Sequence, residues 1–282
     1  MRTIVITGAS AGIGAAAARH IAHAHPKDRL ILVGRNKQRT EAIAAELSAI
    51  GLTADFADLA DVIALASDIR GLTDRIDVLA NNAGGLFDGP TLTRDGFELT
   101  FQVNHLAPMV LTWQLLDTLI KSGASVVSTS SRANVMAKLD LTDLNGLRNF
   151  NSGFSYANAK LANILFTQEL HRRYNSLGLN SVAFHPGVVA TNFSLESHTI
   201  FRKFYSSPIM SSIGSSAEQG GENLAYFIDG TPGIMWKSGE YYSDNRKPGR
   251  VSLTAKKPGL AQRHFEVCSK MLGIEWKADT ET

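Results

Sequence analysis

Short apolar runs recur along the chain, and each is followed by a longer stretch in which apolar positions return at helical spacing. Ile4–Ile6 precedes an Ala-rich helix through Ala15–Ala18, and Leu30–Val33 precedes a helix over Glu41–Ile50. The alternation then continues with a strand at Thr53–Phe56, a helix at Val62–Leu72 and a strand at Val78–Ala80. A long helical stretch over Phe97–Ile120 and a strand at Ser125–Thr129 come next. A helix over Phe154–Tyr174, a strand at Ser181–Phe184, a helix at Ala217–Ile228 and a strand at Glu240–Tyr242 complete the series. Short strands apolar on both faces, alternating with helices, predict an α/β fold of Rossmann type: a doubly wound, mostly parallel sheet with helices on both faces.

Two stretches interrupt the rhythm, an insertion at about 132–153 and a Ser-rich segment at about 192–216. Neither reads as a linker, so residues 1–282 are taken as one domain. The second segment carries Phe193, Leu195, Ile200, Phe201, Phe204 and Tyr205. It reads either as an apolar lid over a substrate or as a helix pair packed on the core.

Composition narrows the function without naming it. With 44% hydrophobic and 19% charged residues, the 282-residue chain can bury a large core. A net charge of +2 with scattered Lys and Arg gives no footprint for nucleic acid. The single cysteine, Cys268, excludes an internal disulfide, offers no zinc spacing and reads as packed in a helix, so no metal is expected. No signal-peptide pattern precedes the first strand, and no apolar run reaches the ~18 residues of a membrane span. A cytoplasmic protein without a membrane anchor is the expectation.

The loop Gly8-Ala9-Ser10-Ala11-Gly12-Ile13-Gly14 lies between the first strand and the first helix. There, backbone N–H groups and a helix N-terminus can face a pyrophosphate, which makes Gly8, Ser10, Ala11, Gly12, Ile13 and Gly14 cofactor-binding candidates. The same stretch matches the nucleophile elbow of an α/β-hydrolase, with Ser10 as nucleophile. In that fold, however, the serine follows a central strand deep in the sequence with an acid and then a histidine placed later, whereas Ser10 stands near the start of this chain and most of its eight histidines have no motif to assign them a role.

Where a dinucleotide fold using NAD carries an acid about twenty residues past the glycine loop, this chain has Gly34-Arg35-Asn36. A guanidinium at Arg35 suits a 2′-phosphate that an acid would repel, so NADP(H) is expected over NAD(H). Asn36 belongs to the same site, while Lys37 and Arg39 read equally well as solvated helix charges. Asp58 and Leu59 are candidates for the adenine edge, and Asp58 is also an ordinary helix cap.

Tyr156 and Lys160 stand four apart in one helix and so share a face. A phenol of pKa about 10 is a poor base at neutral pH, and an adjacent ammonium favours its ionised form. That makes Tyr156 a candidate acid/base and Lys160 its partner.

With these residues in place the chain resembles the short-chain dehydrogenase/reductase family. The resemblance rests on Thr7–Gly14, Asn81-Asn82-Ala83-Gly84, Asn104, Ser131, Tyr156 with Lys160, and Pro186-Gly187 with Thr191, all in the family's order. Val103–Leu106, Lys160–Phe166, His185-Pro186-Gly187-Val188-Val189 and Ser238–Asp244 resemble its retinol dehydrogenase-like branch.

The resemblance implies an NADP(H)-dependent oxidoreductase interconverting an apolar carbonyl compound and an alcohol. Ser131 would hold the substrate oxygen, with Ser130 the adjacent alternative, and Asn104 would hold a water linking Lys160 to solvent. Asn82, Ala83 and Gly84 would pass beneath the cofactor ribose or simply brace the sheet. Pro186 and Gly187 would bend the chain around the nicotinamide, the Val188 backbone and Thr191 would bind its carboxamide, and Val189 belongs to the same cofactor-binding stretch. His105 and His185 read as structural. A homodimer through the helices near 100–120 and 155–175 is compatible with the family, and an NADP(H) sensor without turnover is the alternative reading.

Overall fold

The computed structural model describes residues 1–187 and 216–277. Its centre is β1 (Thr3–Thr7), in which every residue is buried. Because side chains alternate across a strand, Val5 points into one apolar layer and Ile4 and Ile6 into the other. Parallel pairing keeps each layer in register: Val5 pairs with Ile31 and Leu79, and Leu79 pairs with Val126. All four lie in the same cluster. A slip of one residue would turn the row to the other face.

The remaining elements follow this centre. They are α1 (Gly12–Ala24), β2 (Arg29–Gly34), α2 (Lys37–Glu46), β3 (Ile50–Thr53), α3 (Leu59–Leu72) and β4 (Val78–Asn81). Next come α4 (Leu99–Phe101), a π-helical turn Gln102–Leu106, α5 (Ala107–Gln114), α6 (Leu116–Lys121) and β5 (Ser125–Thr129). The chain continues with α7 (Ser152–Tyr174), β6 (Asn180–Phe184), α8 (Ala217–Asp229), β7 (Tyr241–Tyr242) and α9 (Leu260–Leu272). Among the described residues the strands form one parallel sheet in the order β3-β2-β1-β4-β5-β6-β7.

Residues of α1 and α8 cover one face, and residues of α3, α5, α7 and α9 cover the other. This is the expected doubly wound α/β fold. Its chain order reverses between β1 and β4, which places a crevice at the carboxyl ends of those strands. No helix among the described residues is long and apolar enough to cross a membrane.

Three expected elements differ. The third strand is Ile50–Thr53 rather than Thr53–Phe56, and the preceding helix ends at Glu46. Ala54 and Phe56 are buried, but as loop residues packed into the core, so their apolar character reports burial without strand pairing. The helix expected over Phe97–Ile120 is broken into α4, the π-helical turn, α5 and α6. Within the π-helical turn Asn104 Nδ2 donates to the Thr100 carbonyl one turn back, at 2.8 Å. Of the segment expected as a lid, residues 192–215 lie outside the described residues.

The contact of α1 with α8 is set by a glycine. A Cβ on Gly221 would stand 2.5 Å from Ala16 Cβ and 2.8 Å from the Ala17 nitrogen, whereas one on Gly71 in α3 would meet nothing within 4 Å. Gly221→Val should therefore lower the unfolding free energy by about 1–3 kcal/mol through overpacking. Gly71→Ala should raise it by about 0.5–1 kcal/mol through lost chain entropy. Denaturant titration of the two variants checks both signs.

Candidate active site

The glycine loop is built against the start of the β4 exit. Gly8 and Gly12 have φ of 67° and 57°, a region L side chains rarely adopt. A Cβ on Gly8 would lie 2.9 Å from Ala83 Cα, and one on Gly14 would overlap the Gly8 carbonyl oxygen. Backbone, and only backbone, fits there.

Helix α1 begins at this loop without a side-chain cap on Ala11 and without an acid in its first turn. Its first N–H groups and the positive end of its dipole are thus directed at an anion-sized cradle. The residues present fit a dinucleotide pyrophosphate.

Polar bonds tie the strand ends around this cradle. Thr7 Oγ1 accepts from the Asn82 and Ala83 N–H groups at 3.0 Å each and donates to the Ala80 carbonyl at 3.2 Å. Asn82 Nδ2 donates to the Thr7 carbonyl at 3.0 Å, and Thr129 Oγ1 donates to Asn82 Oδ1 at 3.1 Å. In this way β1, β4 and β5 are laced at their carboxyl ends through Asn82.

At the end of β2, a Cβ on Gly34 would stand 2.7 Å from Ser10 Cβ, so Ser10 packs beside Gly34, and Arg35 follows at the surface. Asn36 caps α2 by accepting from the Arg39 N–H at 2.9 Å. Lys37 pairs loosely with Glu41, at 3.9 Å. Asp58 caps α3, accepting from the Ala60 N–H at 3.0 Å, and pairs with Arg94 at 2.7 Å. The Leu59 N–H goes to Asp95 at 3.0 Å. The side chains of Asn36 and Asp58 therefore hold helix starts.

On the other side of the cradle, α7 lies against β5 and carries Tyr156 and Lys160. Its cap Asn151 accepts from the Phe154 N–H at 3.0 Å, which starts the helix two residues earlier than the apolar spacing indicated. Lys160 is 2% exposed, and its ammonium donates to the Thr129 carbonyl at 3.1 Å. The same ammonium lies 5.5 Å from the centre of the Tyr156 ring. Burial pushes Lys160 down to about 7.

The two serines after β5 separate cleanly. Ser130 is buried and donates to the Lys160 carbonyl at 2.7 Å, fastening α7 to the sheet. Ser131 is partly exposed and caps a short 3₁₀ turn, Arg132–Met136, accepting from the Ala133 N–H at 3.2 Å.

Asn104 lies in the π-helical turn. Its Nδ2 donates to the carbonyls of Gly85 (2.7 Å) and Thr100 (2.8 Å), and its Oδ1 accepts from the Gly85 N–H at 3.2 Å. A Cβ on Gly84 would collide with Asn104 Oδ1 and stand 3.2 Å from Lys160 Nζ, so both side chains converge on Gly84.

His105 and His185 are buried, and burial pushes each down to about 4, leaving both neutral near pH 7. After β6, the Pro186 carbonyl accepts from Asn223 of α8 at 3.2 Å, and Gly187 turns with φ of 106°. Val188, Val189 and Thr191 lie outside the described residues.

Sequence reasoning missed two supports. Asn163 donates to the same Thr129 carbonyl as Lys160, at 3.2 Å. The buried Glu98 accepts from Thr100 and Phe101 N–H groups at 3.0 and 2.9 Å and from Ser155 Oγ at 2.6 Å, joining α4 to the start of α7. Asn163 lies three residues past Lys160 on the same helix, and that spacing was the available signal.

The fold and cradle define a nucleotide-binding α/β protein with a Tyr–Lys pair beside the cradle. A family model described as short chain dehydrogenase matches residues 2–199. A Streptomyces sp. (strain C5) protein named "Putative daunorubicin C-13 ketoreductase" is 37% identical, covering 96% of this chain and 93% of its own length. Mouse retinol dehydrogenase 12 is 34% identical, covering 98% and 88%. The crystal structure of an uncharacterised Mycobacterium paratuberculosis protein superposes with a TM-score of 0.77 at 29% identity, over 98% of this chain and 95% of that one. The chain belongs to the short-chain dehydrogenase/reductase family and to its retinol dehydrogenase-like branch. It is thereby an oxidoreductase of the carbonyl–alcohol class, in a family that binds nicotinamide cofactors.

The position of Lys160 has a measurable consequence for stability. Between about 7 and the ordinary 10.5, the unfolded chain holds the lysine proton and the folded chain does not. Unfolding then takes up a proton, so stability rises with pH across that window. Unfolding free energies measured from pH 7 to 10 should show this rise in the wild type and a flatter dependence in Lys160→Met.

Proposed function

We propose that the protein reduces an apolar aldehyde or ketone with NADPH, and runs the reverse oxidation with NADP+, using Tyr156 as acid/base. The observation that carries this reading is the buried Lys160 ammonium, held on the Thr129 carbonyl and 5.5 Å from the Tyr156 ring, one helical turn away. When bound, the nicotinamide supplies or accepts the hydride. Every proton is handled by the protein.

In reduction, Tyr156 donates its phenolic proton to the substrate oxygen as that oxygen becomes a hydroxyl, and in oxidation it takes the proton back. Ser131, at the exit of β5 with its hydroxyl partly exposed, holds that oxygen in place. Lys160 has its affinity for a proton lowered by burial to the range where exchange with a phenolate is easy at neutral pH. Asn104 has both amide protons committed to carbonyls and its Oδ1 already accepting from the Gly85 N–H, which leaves the second lone pair of that oxygen to accept from a water that carries the proton onward.

Arg35 supports the preference for NADP(H). It follows the Gly34–Ser10 contact at the rim of the cradle, and no acid takes its place at the end of β2. A guanidinium there meets a 2′-phosphate with charge-assisted hydrogen bonds. The apolar substrate class rests on the composition of residues 193–213 and on the family branch. A reducing compartment, the cytosol, is the setting this reading assigns.

Tyr156→Phe should lower kcat by about 10²–10⁴-fold while NADPH affinity stays near the wild-type value. Turnover at the wild-type rate in that variant would remove Tyr156 from the chemistry. NADPH consumption against a panel of aldehydes and ketones tests the substrate class.

For the cofactor, Arg35→Ala should raise the KM for NADPH by about 10–100-fold, the loss of one charge-assisted hydrogen bond or two, and leave NADH nearly unchanged. An equal loss for both cofactors would refute the role of Arg35.

A further inference from the structure

Behind the catalytic lysine lies a cluster that the oxidoreductase chemistry does not use. His105 of the π-helical turn and His264 and Cys268 of α9 are buried together, each at 1% exposure or less. Cys268 Sγ lies 3.4 Å from His264 Nε2 and 3.7 Å from His105 Nε2, and the three ligand-type atoms all fall within 4.8 Å of one another. Around one ion with metal–nitrogen bonds of about 2.0 Å and a metal–sulfur bond of about 2.3 Å, ligand atoms sit roughly 3.5 Å apart. His264 and Cys268 are four apart on one helix, so α9 presents them on a single face.

Hydrogen bonding settles the orientation of the first ligand. The Thr129 carbonyl can only accept, so the Asn163 atom facing it is the NH2 group, and Oδ1 faces His105. His105 Nδ1, 3.0 Å from that oxygen, must then carry the ring proton. Its Nε2 is left as a lone pair aimed at Cys268. An acceptor on the far nitrogen is the arrangement that orients a histidine ligand.

One thiol proton faces two ring nitrogens. If it goes to His105, His264 can donate its Nε2–H to sulfur, and its Nδ1 is then a buried acceptor without a partner. If it goes to His264, the His105 lone pair faces sulfur lone pairs, and His264 Nδ1–H is a buried donor without a partner. Among the described residues His264 Nδ1 has no hydrogen-bond partner in either case. In the first arrangement sulfur and both Nε2 atoms are paired, so what favours a cation is the convergence of the three donor atoms, which can all bind one ion while His264 Nδ1 carries that ring's proton.

The charge of that cation follows from the surroundings. Phe101 and Phe166 pack on the His105 ring at 5.3 and 6.0 Å between centres, and no carboxylate belongs to the group. The Lys160 ammonium already opposes positive charge at His105. A divalent ion on one thiolate would leave a net positive charge in this apolar cage, whereas a monovalent ion leaves none. Thiolate and imidazole ligands suit a soft ion.

We infer that His105, His264 and Cys268 form a three-coordinate site for cuprous copper that pins α9 to the π-helical turn behind Lys160. On binding, the Cys268 S–H bond breaks, a sulfur–copper bond forms, and the proton leaves to solvent with no change of oxidation state. The filled site is electrically neutral.

The test is an anaerobic titration of the reduced, metal-free full chain with cuprous ion in competition with a chromogenic cuprous chelator. The wild type should withdraw about one equivalent and develop a thiolate-to-copper ultraviolet band. With only one cysteine in the chain, that band reports on Cys268 alone. Cys268→Ala should abolish the band, and His264→Leu should weaken binding by at least about 10–100-fold. His264→Leu also replaces the unpaired ring with an apolar side chain, so it keeps the test alive should the cysteine variant not fold. Binding unchanged in both variants, absence of the band, or retention of zinc in preference to cuprous ion would each overturn the site. Turnover is not the readout, so failure here leaves the Tyr156 chemistry untouched.

Discussion

The carbonyl of Thr129 is the point on which the active-site side of the molecule depends. It is the last residue of β5, and its oxygen accepts from both the Lys160 ammonium and the Asn163 amide. A buried ammonium without an acceptor would be driven out of the core or lose its proton. Here the acceptor is a main-chain atom fixed by the sheet, so the position of the charge is set by β5 rather than by another flexible side chain. Two donors from one helix on one oxygen also fix the rotation of α7, and with it the direction of Tyr156. Ser130, bonded to the Lys160 carbonyl, repeats the constraint one residue further along.

The same residue works in the other direction. Thr129 Oγ1 bonds Asn82, which is bonded to Thr7, so the strand that holds the lysine is laced to the strand that leads into the glycine loop. Cofactor cradle and Tyr–Lys pair are therefore parts of one braced edge, and neither can shift alone. Such bracing suits a cradle and a side-chain pair that have to act on adjacent atoms, since small displacements of reacting groups are costly to rate.

The sequence reveals this architecture unevenly, for physical reasons. Fully buried parallel strands are continuous apolar runs bounded by turns, so β1, β2, β4, β5 and β6 could be read directly. The edge strand β3 has no fully buried residue and no such signature, and the apolar Ala54 and Phe56 beside it drew the expected strand past its true end. The break at Gln102–Leu106 was hidden because a π-helical turn keeps the helical spacing of apolar residues while it changes the hydrogen bonding. In the site, residues with distinctive chemistry at short spacing, Tyr156 with Lys160 and the glycines of the loop, were visible. Asn36 and Asp58 were visible too, but as polar residues at helix starts they serve as caps, a use that spacing cannot separate from ligand contact. Glu98 and Asn163 act through partners distant in the chain, and only the folded structure brings those partners together.

Distance in the chain also explains why the His105 cluster has no sequence signature. His264 and Cys268 are neighbours on one helix, but the third member comes from the π-helical turn, on the far side of the sequence from α9. What joins them is the packing of α9 on α7, which carries Asn163 between His105 and Thr129. A polar chain thus runs from Cys268 through His105 and Asn163 to the oxygen that holds Lys160. Buried polar chains constrain geometry only when each member has a partner, and this one is complete at the lysine end and incomplete at His264. Through that chain α9 is in polar continuity with the oxygen that holds Lys160, although it contributes no residue to the Tyr–Lys pair.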